Sequence, residues 1–133
     1  MKLNNSENRL DENQLSRIII ECAIEVHRTL GGPGLLESVY EEALAWELRS
    51  RGLKVTRQIL LPIYYKRQQL GNQLRIDLMV NDLVLVECKS TINEDPIFQA
   101  QLLTYLRLTK LKLGLVINFG KQFVKDGLHR VVN

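Results

Sequence analysis

The stretch that most restricts how this chain can fold is Leu83-Val84-Leu85-Val86-Glu87-Cys88-Lys89. Its Val and Leu content reads as a β-strand, in which Glu87 and Lys89 share one face while Val86 and Cys88 take the other. Opposite charges closing an apolar strand either emerge into solvent as a weak ion pair or line a site that needs both. A second run, Gly114-Leu115-Val116-Ile117-Asn118-Phe119, reads as a short buried strand.

The elements around these strands follow from periodicity and turn signals. From Gln14 to Leu30, apolar residues recur at the spacing of an amphipathic helix, with Arg17, Glu21, Glu25 and Arg28 on the opposite side. Gly31-Gly32-Pro33-Gly34 ends that helix, and Leu36, Val39, Tyr40, Ala43, Leu44 and Leu48 mark a second one closing near Gly52. Two β-like stretches follow, Lys54 to Tyr65 and Gln73 to Val80, separated by the polar segment Lys66 to Asn72. A turn at Asn81-Asp82 leads into the strand of Glu87. Glu94-Asp95-Pro96 starts a helix expected to reach Lys110, and Gly120-Lys121 turns towards a final strand near Val124 to Val132. The order is ααβββαββ, and a central mixed β-sheet flanked by helices buries these elements best, so the class is α/β or α+β.

The 133 residues are expected to form a flexible tail over 1–12 and a single domain over 13–133. Their 45% apolar content excludes intrinsic disorder. No signal-peptide stretch or membrane span is found, so a cytoplasmic protein without membrane contact is expected. Cys22 and Cys88 suit free buried thiols better than a disulfide or a zinc site, and His27 and His129 are expected at the surface.

Charge is distributed in blocks. Residues 51–75 carry six Lys/Arg and no Asp/Glu, whereas residues 76–106 carry one against five. Such blocks are either ordinary solvated faces or carboxylates for a metal flanked by cations for a polyanion. Asp77, between Ile76 and Leu78, is an edge charge, a cross-strand partner of Lys89, or one of two carboxylates that with Glu87 and Lys89 would make an oxygen-rich site for Mg²⁺ or Mn²⁺. The last reading has a geometric requirement. A two-residue hairpin at Asn81-Asp82 would put Asp77 and Glu87 on opposite faces, so a shared site needs an odd loop or a bulge between Met79 and Leu85.

Gln101 and Tyr105 lie one turn apart on the third helix, as ordinary surface and core residues or as parts of the same site. Glu37 is a plain surface acid or a carboxylate held near a helix N-terminus after the glycine-rich reversal.

Gly34-Leu35-Leu36-Glu37-Ser38-Val39-Tyr40 resembles the motif of the GxxExxY protein family, within the PD-(D/E)XK nuclease superfamily. The likeness continues through Arg75-Ile76-Asp77, Val86-Glu87-Cys88-Lys89, Ala100 to Leu106 and Gly114 to Gly120, and Gln101-x-x-x-Tyr105 is similar to the QxxxY element of RecB-like and phage-exonuclease-like members. Ile76 stands where the superfamily's nominal proline would be. Asp95-Pro96-Ile97-Phe98 occupies a segment where many relatives carry a histidine.

The resemblance implies a restriction-endonuclease-like core and hydrolysis of nucleic acid, DNA or RNA. Asp77 and Glu87 would ligate Mg²⁺ or Mn²⁺, the Cys88 carbonyl would add an oxygen, and Glu37 would contribute directly or through water. Lys89 would orient the nucleophile or stabilise transition-state charge, and Gln101 and Tyr105 would brace the site or touch the substrate backbone. Arg57, Lys66, Arg67 and Arg75 would attract phosphates. The alternatives are a catalytically silent module binding nucleic acid or protein, and a purely structural oligomer. With no appended recognition domain, specificity would come from loops, a homodimer or a protein partner.

Overall fold

The computed structural model describes residues 9–133, and most of the tail expected over 1–12 lies outside the described residues. The elements are α1 (Glu12–Thr29), α2 (Glu37–Ser50), β1 (Val55–Tyr65), β2 (Gln68–Val80), β3 (Val84–Lys89), α3 (Ile97–Thr109), β4 (Leu113–Asn118) and β5 (Leu128–Val132), with a 3-10 turn at Val124–Gly127. The order is the expected one. Two boundaries differ substantially: Val124–Gly127 is a 3-10 turn, so the final strand starts only at Leu128, and β2 begins at Gln68, so most of the polar segment read as a connection is strand and the hairpin turn is only Lys66-Arg67. A strand solvated on both faces carries no hydrophobic alternation to reveal it.

The five strands run β1-β2-β3-β4-β5, with β3 and β4 parallel and every other pair antiparallel. Both parallel strands are buried over almost their whole length, as expected where helices cover both faces of a sheet. Leu15, Ile19 and Cys22 of α1 and Leu44 and Leu48 of α2 pack on Val84, Val86 and Leu115. Leu102, Tyr105 and Leu106 of α3 pack on Leu85 and Val116 from the other side. Each such side chain contributes about 1.5–3 kcal/mol when withdrawn from water. Cys22 and Cys88 are both buried and unpaired in a disulfide. Among the described residues no helix is long and apolar enough to cross a membrane.

The helix ends are set locally. Asp11 accepts from the Gln14 N–H at 2.8 Å while the Gln14 side chain accepts from the Asp11 N–H at 2.8 Å, a reciprocal cap that starts α1 two residues before the expected Gln14. Helix α3 starts after Pro96, which makes no side-chain cap; the preceding Asp95 carboxylate accepts from the Ile97 N–H at 3.0 Å and satisfies one free donor of the first turn.

The segment after β3 is tied to β4 through Asn118, which is fully buried. Its amide donates to Thr91 O at 3.0 Å and Glu94 Oε1 at 3.2 Å, and its oxygen accepts from the Thr91 and Gly120 N–H groups at 3.1 and 2.9 Å. Gly120 sits so close to the Thr91 backbone that no Cβ fits there.

His27 departs from its expected surface position. It is buried against Tyr40 and Phe119, with Nε2 3.2 Å from Phe119 O and 3.0 Å from Lys121 O. On α1 it falls one position after Val26, within the inward stripe, and two backbone carbonyls satisfy its ring nitrogen. His129 is partly exposed and lies 3.1 Å from Glu94.

Candidate active site

The site forms where β2 and β3 part. Their connection is the three-residue loop Asn81, Asp82 and Leu83, with Asn81 and Asp82 at φ 51° and 56°, so Val80 opposes Val84 and Leu78 opposes Val86. Continuing that register puts Asp77 opposite Glu87, the odd loop that a shared site requires. Backbone pairing stops at Leu78 and Val86, and side chains take over. The Asp77 N–H donates to Glu87 Oε1 at 2.9 Å, and the Cys88 N–H donates to Asp77 Oδ2 at 2.9 Å. Each carboxylate thus holds the other strand with one oxygen.

A second irregularity lies across from Asp77 on β1. Gln58, at φ 54°, drops out of the ladder between the pairs Arg57–Leu78 and Ile59–Ile76. Leu78 consequently packs with the α1–α2 layer, whereas Ile76, two residues away, packs with α3. In an unbroken strand the two would share a face. Asp77 sits at this switch, and its carboxylate reaches the end of α2.

Helix α2 supplies two further acids one turn apart, Glu37 and Glu41. Glu41 is 4% exposed and accepts from Arg57 Nη2 at 3.0 Å, Arg57 Nε at 3.2 Å and Gln58 Nε2 at 2.8 Å. Glu37 stands at the solvent rim. The helix is positioned by Tyr40, whose ring stacks on Phe119 at 4.7 Å and whose hydroxyl donates to Gly32 O at 2.7 Å and accepts from the Leu35 N–H at 3.2 Å. The tyrosine of the G-x-x-E-x-x-Y pattern therefore pins the glycine-rich reversal, and the Ser90 hydroxyl, donating to Leu35 O at 2.7 Å, ties it to the end of β3.

The four acids interact electrostatically. Burial pushes the Glu87 carboxyl up to about 8, Asp77 adds to the rise, and the Asp77 N–H and the Lys89 charge oppose it. Burial likewise pushes Asp77 up to about 6; the Cys88 N–H opposes the rise, and Glu41 and Glu37 add to it. Glu37 is raised by loss of water and by Glu41, against the pull of Lys89. The Lys89 ammonium lies 4.6 Å from the centre of the Phe98 ring and makes no ion pair within 4.0 Å among the described residues. Neither a solvent-exposed Glu87–Lys89 pair nor an Asp77–Lys89 salt bridge is present.

Tyr105 is buried on the α3 side, its phenol raised by burial and then by Glu87 and Asp77. Gln101 is exposed, and its side chain makes no hydrogen bond among the described residues. The four cations expected to hold phosphates do not form one patch. Arg57 is bound to Glu41, Arg75 is exposed and attracts Glu37, and Lys66 and Arg67 form the tip of the β1–β2 hairpin.

Glu41 and Gln58 are the two members that sequence reasoning missed. Glu41 had a usable signal, since it falls four residues after Glu37 on the same helical face. Gln58 had none, because a left-handed glutamine within a strand leaves no mark in the sequence.

The donors at the fork are all oxygens, a set that suits a hard divalent cation keeping several waters and does not suit zinc. Among the described residues no group of three or more His, Cys, Asp or Glu side chains is arranged to hold a metal ion. The fit rests on Asp77 and Glu87: two partly dehydrated, mutually repelling carboxylates would be relieved by a shared cation.

The five-stranded mixed sheet, with α1 and α2 on one face and α3 on the other, agrees with a restriction-endonuclease-like fold. No curated protein and no solved structure matches the chain. A profile of the PD-(D/E)XK nuclease superfamily, by contrast, matches residues 13–131. The match spans nearly the whole fold, both parting strands included, and the chain belongs to the PD-(D/E)XK nuclease superfamily.

Proposed function

We propose that this protein is a metal-dependent nuclease that hydrolyses phosphodiester bonds of nucleic acid, and that within its superfamily it is one of the GxxExxY proteins. The observation that carries the reading is the fork itself, where Asp77 and Glu87 stand opposite each other and each spends one oxygen on the neighbouring backbone. Nucleases of the superfamily generally use divalent metal ions. Asp77 and Glu87 would hold Mg²⁺ or Mn²⁺, with the Cys88 carbonyl as a further oxygen and Glu37 contributing directly or through water. When bound, such an ion polarises a phosphoryl oxygen and makes water a better nucleophile.

The remaining work falls to side chains. Lys89, unpaired and resting on Phe98, is free to orient the attacking water or to neutralise charge growing on the phosphoryl oxygens. Glu41 fixes Arg57 and Gln58 and so keeps β1 against the site. Tyr105, close enough for Glu87 and Asp77 to raise its phenol, would brace the site from the α3 side, and Gln101, exposed on the same helix, would touch the substrate backbone. Water adds to phosphorus, one P–O ester bond breaks, the leaving oxygen takes a proton, and one product ends in a phosphate monoester.

The test is incubation with single- and double-stranded DNA and RNA in Mg²⁺, Mn²⁺ or EDTA, beside Glu87→Ala and Lys89→Ala. Cleavage should require the ion, disappear in Glu87→Ala and fall about 10²–10³-fold in Lys89→Ala. Cleavage surviving both substitutions would come from a contaminant. A folded wild type that binds nucleic acid with salt sensitivity but never cuts it would be a silent binding module.

A further inference from the structure

The end of the β1–β2 hairpin projects beyond the packed body of the fold. Strand β3 pairs with β2 only over Leu78, Met79 and Val80; Ile59, Leu61 and Leu74 still pack on the α3 side, and past them the two strands continue as a free ribbon. All ten residues from Tyr64 to Gln73 are exposed. Residues 59–76 carry Lys66, Arg67 and Arg75 and no acid. Four of the six residues 68–73 are Gln or Asn.

The tip breaks a local rule. Lys66 and Arg67 occupy the two central positions of the turn at φ 48° and 69°. Those positions favour Asn-Gly, and long side chains there are strained. Local rules broken without a gain in packing concentrate at functional sites.

We propose that this ribbon is an arm that enters the major groove of duplex DNA and holds it against the fork; the inference rests on the nuclease reading for its substrate. The major groove of B-DNA admits a two-stranded ribbon, whereas that of A-form RNA is too narrow and deep for side chains to read. A ribbon exposed on both faces suits a groove with phosphates on both walls. Lys66 and Arg67 meet those phosphates, and the amides of Gln68, Gln69, Asn72 and Gln73 can pair with base edges. Single strands fit less well, because Tyr64 and Tyr65 are consecutive in a strand, point to opposite faces and cannot form one stacking platform. Seven strand residues lie between Gln58 at the fork and Lys66, a reach of about 25 Å, or roughly seven base pairs.

The experiment measures binding in EDTA, so it does not depend on turnover. Fluorescently labelled 20-base-pair duplex DNA, the corresponding single strand and a duplex RNA are titrated with wild type and with the double variant Lys66→Asn, Arg67→Gly. That change suits the turn better and keeps the ribbon folded. Duplex DNA affinity should fall at least tenfold, the slope of log K against log salt should lose about two units, and single-strand affinity should change less than threefold. Unchanged duplex binding, equal losses on all three nucleic acids, or no binding of duplex DNA by the wild type would overturn the arm. Hydrolysis of bis(p-nitrophenyl) phosphate by wild type and Glu87→Ala tests the nuclease reading separately. A wild type that never hydrolyses it while duplex binding still depends on the tip would sink the nuclease reading and leave the arm.

Discussion

Glu87 is 6% exposed and faces Asp77, so its charge is stabilised by one backbone N–H and the nearby Lys89 against loss of water and a like charge. That imbalance gives stability a pH dependence of unusual sign. The folded-state pKa, about 8, lies above the ordinary 4.5. Between those values the folded chain holds a proton that the unfolded chain has released, so stability falls as pH rises through the window. Below it the penalty is absent. Asp77 acts the same way between 3.8 and about 6. Without metal, the melting temperature of the wild type should therefore drop from pH 5 to pH 8.5, by roughly 2–4 kcal/mol of stability at the alkaline end. Glu87→Gln should remove most of that drop while abolishing hydrolysis. A wild type whose stability rises over this range would show that the acids are not strained against each other. Not every member of the group could be found at this scale. Asp77, Glu87 and Lys89 are visible as charges in apolar strands, whereas Gln58 depends on a backbone conformation with no composition signal.

Among elements, legibility followed burial. Helix α1, strands β3 and β4 and helix α3 were readable within a few residues, because each buries an apolar stripe or run whose period survives in the sequence. The outer ribbon was not, since residues 68–73 are exposed on both faces and have no period to show. The site could be placed on one condition, an odd connection between β2 and β3, and Leu83 meets it by joining the loop instead of the strand. The contact between the post-β3 segment and β4 is set by sterics that sequence hides. Gly120→Ala would push a methyl group into the Thr91 backbone and loosen the segment that Asn118 anchors. Urea unfolding should show a loss of about 1–3 kcal/mol. Gly71→Ala, where nothing lies within 4 Å of the added carbon and φ is not positive, is the control and should change stability by less than about 1 kcal/mol. Equal effects at the two positions would mean that the close approach at Gly120 is not maintained in solution.

The whole molecule has two packed layers that share one sheet, and the fork lies where the layers exchange strands. Leu78 belongs to the α1–α2 side, Ile76 to the α3 side, and Asp77 joins them. An ion held by Asp77 and Glu87, with Glu37 beside it, would therefore cross-link β2, β3 and α2 just beyond the end of the β2–β3 ladder, where the two strands are joined by a carboxylate and a backbone N–H on each side. Binding to the folded state alone raises stability by RT ln(1 + [L]/Kd), about 2.7 kcal/mol at a hundred times Kd. Because both carboxyls are raised, the ion must displace protons below pH 8, and its affinity should increase with pH through the range from 6 to 8. The melting temperature in excess Mg²⁺ should thus exceed that in EDTA by more at pH 8 than at pH 6, opposing the alkaline loss of the metal-free protein. Calorimetric titration in two buffers of different ionisation enthalpy counts the protons released, and Glu87→Gln should release fewer. Ion-induced stabilisation that is the same at both pH values, or unaltered in Glu87→Gln, would place the ion away from the fork.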